Sequence, residues 1–207
     1  NTMNVGQETD QYIPRIKWTR NPEVLSIMRL NRLQNQLDIL HANAENGNSG
    51  LVYSETNQYY ISEASDNTIT YLSDGESFIL NSEKDGYFHL YYYNFNSGEL
   101  RPITTGDYDI ASFMGYDEKQ QRLYYSSYEE SSIQRHVYSI KLDGTKKLKL
   151  STQPGTNRAT FSTTFKYYIL NNSSANTPPY ITLHNQKGKL MRVLKDNEKL
   201  KETVKEY

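Results

Sequence analysis

The chain has 207 residues, a formal net charge of −1 and no cysteine, with 36% apolar and 13% aromatic residues. The near-zero charge argues against the clustered basic surface that nucleic-acid binding needs, and the missing thiols exclude disulfides and thiolate metal sites. No apolar run approaches the ~20 residues of a membrane-spanning helix.

Tyrosine dominates the aromatic set, 19 against 6 Phe and 1 Trp, which suits half-buried strands whose rings pack while their hydroxyls reach polar partners. In chain order, Asn1 to Gln11 is polar and reads as a loop left from a preceding unit. No secretion signal is visible, and Asn1-Thr2-Met3-Asn4 reads as a start in mid-chain. Ile13 to Trp18 alternates, with Pro14 near its start, as a first or edge strand does. Val24 to Leu30 and Gln36 to His41 are the next strands, and Ala42 to Gly50 is an Asn/Gly-rich hairpin leading into Leu51 to Glu55. Then come short strands at Thr68 to Leu72, Ser77 to Leu80, His89 to Tyr93 and Leu100 to Thr104. The turns Asp74-Gly75, Asp85-Gly86 and Ser97-Gly98 separate them. A third group follows at Ala111 to Tyr116, Leu123 to Ser126, His136 to Ile140 and Lys147 to Leu150. A fourth falls at Ala159 to Thr163, Tyr167 to Leu170, Tyr180 to Leu183 and Leu190 to Leu194. Asp196 to Tyr207 is charged, with Leu200 and Val204 at helical spacing, and reads as a short helix or a linker.

The second strands of these groups centre near Ile27, Ile79, Tyr124 and Tyr168. Four strands recurring every ~40–50 residues is the pattern of β-propeller blades, whereas a β-sandwich has no such higher-order period. The expected fold is therefore all-β, a propeller segment of about four four-stranded antiparallel blades. Their expected spans are roughly 12–60, 61–108, 109–158 and 159–195, with 196–207 as helix or linker. Most propellers have more than four blades, and the end sheets of a part-ring would expose edges that invite self-association.

Chemistry-bearing patterns are sparse. No G-x-S-x-G nucleophile elbow occurs, and Gly47-Asn48-Ser49-Gly50 misses it by one place in a polar hairpin. His41, His89, His136 and His184 recur at intervals near 48, but two begin their strands and two end theirs, so they are not equivalent ligands. Glu129-Glu130 is the only adjacent pair of glutamates, a pair able to receive an ammonium group, and reads as a solvated turn without apolar surroundings. Lys146, Lys147 and Lys149 suit an outer strand that blocks edge pairing. No phosphate loop, calcium loop or zinc spacing is present, so no cofactor is expected.

Several stretches together resemble the N-terminal propeller of dipeptidyl peptidase IV-like serine peptidases, in the prolyl oligopeptidase clan. They are Tyr12 to Thr19 (YIPRIKWT), Asp74 to Phe78 (DGESF), Ser82 to Tyr91 (SEKDGYFHLY), Ile103 to Gly106 (ITTG), Lys166-Tyr167-Tyr168, and Leu190 to Asn197 (LMRVLKDN). The resemblance covers nearly the whole chain. It implies the second half of an eight-bladed ring that caps an α/β-hydrolase domain, with a Ser-Asp-His triad lying after Tyr207. It implies a serine exopeptidase releasing N-terminal dipeptides with Pro or Ala in second place, acting on peptide substrates outside the cytoplasm. The family's paired glutamates, which hold the substrate's amino terminus, would precede Asn1, and Glu129-Glu130 does not match their setting. One inter-blade loop of the family reaches the substrate, and its place here is roughly 59–67, which makes Tyr59, Tyr60 and Glu63 the expected substrate contacts. A tripeptidyl peptidase of the same clan, or a non-catalytic propeller that binds protein or glycan, shares the same features.

Overall fold

The computed structural model of the chain describes residues 1–62 and 68–204. Among these, sixteen strands form four antiparallel sheets of four strands each, the blades of a partial β-propeller, followed by one short helix. The chain divides into two compact units, Asn1–Pro102 and Ile103–Tyr207.

In the first unit, β1 (Gln11–Trp18), β2 (Val24–Asn31), β3 (Gln36–Asn43) and β4 (Ser49–Thr56) form one sheet in sequence order. Pro14 sits where the β1–β2 register breaks, between Tyr12 and Arg15, on an edge strand that can spare its donor. The second sheet follows as β5 (Ile69–Tyr71), β6 (Ser77–Ser82), β7 (His89–Asn94) and β8 (Leu100–Pro102). Met28, Leu30, Ile39 and Tyr53 of the first sheet bury against Ile69, Phe78, Leu80 and Tyr91 of the second. The inner strands are covered on both faces, so β2 and β6 read as nearly continuous apolar runs rather than alternations. The opposite face of the first sheet, Leu25, Ile27, Leu40 and Ala42, lies under Met3 and Val5. The start of the chain is thus more than a polar loop. The Asn4 amide donates to the Gly47 carbonyl at 2.8 Å, and Arg29 Nη1 donates to the Val5 carbonyl at 2.7 Å. Gly47, at φ 77°, has no room for a side chain: a Cβ there would stand 2.1 Å from the Thr2 carbonyl oxygen.

Basic side chains also protect the short edge strand β5. Lys17 Nζ donates to the Ile69 carbonyl at 3.0 Å, and Arg20 Nε donates to the Tyr71 carbonyl at 3.2 Å. These bonds satisfy acceptors that would otherwise invite another strand.

In the second unit, β9 (Ile110–Asp117), β10 (Arg122–Ser127), β11 (His136–Lys141) and β12 (Leu148–Lys149) form the third sheet. The fourth comprises β13 (Thr156–Phe161), β14 (Tyr167–Ser174), β15 (Thr177–Asn185) and β16 (Leu190–Lys195). Tyr124, Val137 and Leu150 pack with Tyr168 and Leu170, with Phe161 and Phe165 alongside. A parallel bridge between Arg135 and Thr156, and Asn157 Nδ2 donating to the Arg135 carbonyl at 3.0 Å, tie the third sheet to the fourth. In the fourth sheet β13 starts earlier and stops sooner than expected, β14 runs on to Ser174, and β15 is longer at both ends. β15 passes through Pro178-Pro179, where its pairing with β16 has not begun, since that register starts at Ile181. The helix α1 (Glu198–Val204) buries no residue.

Candidate functional site

The segment leaving β4 is held at two points. The Asn57 amide donates to the Asn35 carbonyl at 2.9 Å, and the Ile61 amide donates to the Gln34 carbonyl at 2.8 Å. Asn57 Oδ1 accepts from the Tyr59 amide, an Asx-turn that sharpens the bend. Ile61 anchors the segment in the core at 7% exposure, and the bend throws Tyr59 and Tyr60 outward at 80% and 48%. The two expected tyrosine contacts therefore share one anchored, solvent-facing turn. Glu63 lies outside the described residues.

Beneath this turn is a cavity of about 150 Å³. Glu55, Asn57, Ile61, Thr68, Asn81 and Ser82 are among its walls. Glu55 is 7% exposed and accepts from the Tyr53 hydroxyl at 2.7 Å and from the Ser82 hydroxyl at 2.7 Å. Burial, with the Glu55 charge beside it, pushes the Tyr53 hydroxyl far above its ordinary titration range, so it stays a donor. Asn81 Oδ1 is buried and accepts no hydrogen bond. None of these polar residues was singled out from sequence. The one available signal was Tyr53-x-Glu55, two positions on the same face of a strand.

Elsewhere, an arrangement imitates a catalytic triad. Ser151 Oγ lies 3.2 Å from His136 Nδ1, and His136 Nε2 lies 3.6 Å from Glu130 Oε2. Ser151 is 1% exposed and His136 2%, and the Ser151 hydroxyl also accepts from the Val137 amide. With no approach for a substrate, this set is a strand-end tie. Burial and the nearby Lys149 lower the His136 pKa.

Glu130 is exposed, as a solvated turn requires, whereas Glu129 is half-buried, and a lysine pairs with each. Lys147 pairs with Glu129, and Lys149 Nζ lies 2.6 Å from Glu130 Oε1. Tyr138 donates to Glu130 at 3.2 Å. Burial, with Glu129 beside it, pushes the Tyr108 hydroxyl up to about 12. The lysines occupy the carboxylates that an incoming ammonium would need. The recurring histidines are likewise used locally: His41 bonds the Tyr71 hydroxyl at 2.7 Å, and His184 bonds the Gly188 carbonyl at 3.0 Å. Among the described residues no group of three or more His, Cys, Asp or Glu could hold a metal ion. The Ser49 hydroxyl donates to the Asn4 carbonyl.

Comparison with known proteins decides what these blades are. The family described as the dipeptidyl peptidase IV (DPP IV) N-terminal region matches residues 1–179. The chain belongs to that family. A protein of Aspergillus flavus named "Probable dipeptidyl peptidase 4" is 26% identical over 99% of this chain and 28% of its own length. Dipeptidyl peptidase 4 of Trichophyton rubrum is 26% identical over 97% of this chain and 27% of its own. The crystal structure of Porphyromonas gingivalis dipeptidyl peptidase 4 superposes with a TM-score of 0.89 at 38% identity. It covers 99% of this chain, which spans 29% of that structure. The chain thus corresponds to less than a third of each of these relatives. In dipeptidyl peptidase IV terms it is propeller of the N-terminal region, as the recurring blades and the S-E-x-D-G-Y-x-H-L-Y stretch imply.

Proposed function

We propose that this chain is the substrate-admitting propeller region of a serine exopeptidase that releases N-terminal dipeptides, with Pro or Ala in second place. The family match over residues 1–179 carries the reading. In it the reacting serine belongs to an α/β-hydrolase domain following Tyr207, and the blades belong to an eight-bladed ring above it. Such a ring excludes folded proteins and admits a peptide terminus. Holding that terminus in place lowers the barrier through orientation, with no reacting group in the propeller. Tyr59 and Tyr60 support this role, being aromatic, exposed and anchored from below by Ile61; Glu63 follows on the same stretch of sequence.

The protein works outside the cytoplasm in this reading, and its partners are peptides and its own hydrolase domain. No helix among the described residues is long and apolar enough to cross a membrane. The test is hydrolysis of a Gly-Pro chromogenic substrate. The 207-residue chain alone should be inactive, and the product of the complete gene should be active and blocked by a serine reagent. Serine-reagent-sensitive hydrolysis by the chain alone would refute the assignment. A tripeptide substrate run in parallel separates dipeptidyl from tripeptidyl release.

A further inference from the structure

The Glu55 carboxylate is buried, and its hydrogen-bond partners are the neutral hydroxyls of Tyr53 and Ser82. It has no ion-pair partner among the described residues. Lys84 Nζ stands 5.9 Å from the centres of the Tyr53 and Tyr91 rings and forms no ion pair with Glu55. Taking a carboxylate out of water without a compensating charge is costly, by several kcal/mol per ion.

The same carboxylate lines the cavity of about 150 Å³. That is far above the ~10–15 Å³ that one water needs. Asn81, also in its wall, carries a buried Oδ1 that accepts nothing. Buried amide oxygens are nearly always hydrogen-bonded, so an orphan acceptor beside a cavity marks a missing donor or cation. Thr68, Ser82 and Glu83 also line it, Thr68 and Glu83 with contacts of their own. Every polar side chain named in the wall offers an oxygen and none a sulfur or imidazole nitrogen, which suits hard cations rather than soft metals. Divalent calcium or magnesium sites draw on several carboxylates, and no cluster of that kind exists among the described residues.

From this geometry we infer that the Glu55–Asn81 cavity binds a compact monovalent cation, potassium or an ammonium group. The cation neutralises Glu55, engages Asn81 Oδ1 and fastens the turn bearing Tyr59 and Tyr60 onto the first two blades. The ammonium could come from free solution or from the head of a lysine side chain on a peptide. The inference stands on the cavity alone and does not depend on peptidase activity.

The test is thermal unfolding of the full 207-residue chain at constant ionic strength, with choline chloride replaced stepwise by potassium chloride, ammonium chloride or n-butylammonium chloride. Binding to the folded state should raise the midpoint with concentration, continuing to climb logarithmically beyond the dissociation constant. A response to potassium or ammonium alone supports a free ion, and a response that includes n-butylammonium supports a lysine head as well. Glu55→Gln should abolish the response. Asn81→Leu, which keeps the carboxylate and its two donors, should weaken binding roughly tenfold, the loss of one polar ligand, and decides the matter if Glu55→Gln does not fold. No midpoint change relative to choline, or a response unchanged in these variants, overturns the inference.

Discussion

The Ser82 hydroxyl lies 2.7 Å from both carboxylate oxygens of Glu55, although 27 residues separate the two in sequence. Ser82 Oγ also accepts from the Lys84 amide at 3.0 Å, so its proton is directed to Glu55. The bond joins the end of β4 to the end of β6, and with them two neighbouring blades. Ser82→Ala leaves a buried carboxylate short of a donor and a backbone amide short of an acceptor. The expected loss is about 1–3 kcal/mol, and Ser82→Thr, which keeps the hydroxyl, should lose less. Urea unfolding measures it as a lower midpoint with an unchanged slope.

Two glycines in left-handed conformations separate backbone strain from crowding. Gly75, at φ 71°, has nothing within 4 Å of a built Cβ, whereas at Gly115, φ 137°, a Cβ would stand 2.6 Å from Phe165 Cζ. Phe165 cannot retreat freely, because it stacks on Tyr124 with ring centres 5.0 Å apart and itself holds φ 55°. Gly75→Ala should cost about 1 kcal/mol of backbone strain. Gly115→Ala should cost roughly 1–3 kcal/mol more through overpacking. Equal losses in denaturant unfolding would show that Phe165 yields.

These examples show why parts of the fold were readable from sequence and others were not. Strands such as His89–Asn94 announce themselves through aromatic β-formers bounded by Asp-Gly and Ser-Gly, whose glycines do take positive φ. The ends of β13, β14 and β15 were hidden because polar residues extend them. Asn172 is 5% exposed, yet it donates to the Pro154 carbonyl at 2.9 Å and to Asn157 Oδ1 at 3.1 Å. A local pattern cannot show that an asparagine has a distant partner. The Glu55 cavity was invisible for the same reason, since its walls come from segments that meet only on folding. The Tyr59–Tyr60 turn was found through family resemblance, not through any local signal of burial or charge.

His41 predicts a pH dependence. Burial pulls its pKa from 6.5 to about 4, with the Tyr71 hydroxyl at Nε2 and the Phe95 ring edge-on at 4.9 Å. The unfolded chain takes up a proton near pH 6.5 and the folded one does not until about 4, so stability falls as pH drops through that window. His136, also lowered by burial, contributes with the same sign in the other unit. Asp38 acts further down. Burial raises its pKa, but the hydrogen bonds from Arg29 and Ser54 outweigh this and hold it below 3.8, so its contribution is lost only at lower pH. His41→Gln should reduce the slope of stability against pH between 6.5 and 4 and leave the acid limb. An unchanged slope would place the titration elsewhere.

The fourth blade predicts how the chain behaves in solution. All six residues of β16 are exposed, among them Leu190, Met191, Val193 and Leu194, and Tyr167 and Ile169 of β14 are exposed too. Apolar side chains on an unpaired edge strand favour pairing with a second copy. Light scattering of the purified chain should give a dimer or larger species that grows with concentration. Met191→Lys with Val193→Lys should shift it towards monomer. A monomer at all concentrations would show that the edge is tolerated in water.

The turn bearing Tyr59 and Tyr60 makes the prediction closest to function. Both rings are exposed and the fold is held beneath them by Ile61, so Tyr59→Ala and Tyr60→Ala should change stability by no more than about 0.5 kcal/mol. Ile61→Ala, which truncates a 7%-exposed anchor, should instead cost about 2–5 kcal/mol. If the turn touches extended residues of a peptide, its loss acts on long substrates and spares short ones. In the complete protein the paired tyrosine variants should cut kcat/KM for peptides of five or more residues severalfold, leaving a dipeptidyl chromogenic substrate within about twofold, since only the former lose binding energy realised on the turn. Glu63→Gln belongs in the same series, on the strength of its place in sequence next to them. Equal losses on short and long substrates would mean that the turn shapes the catalytic domain rather than the peptide's path.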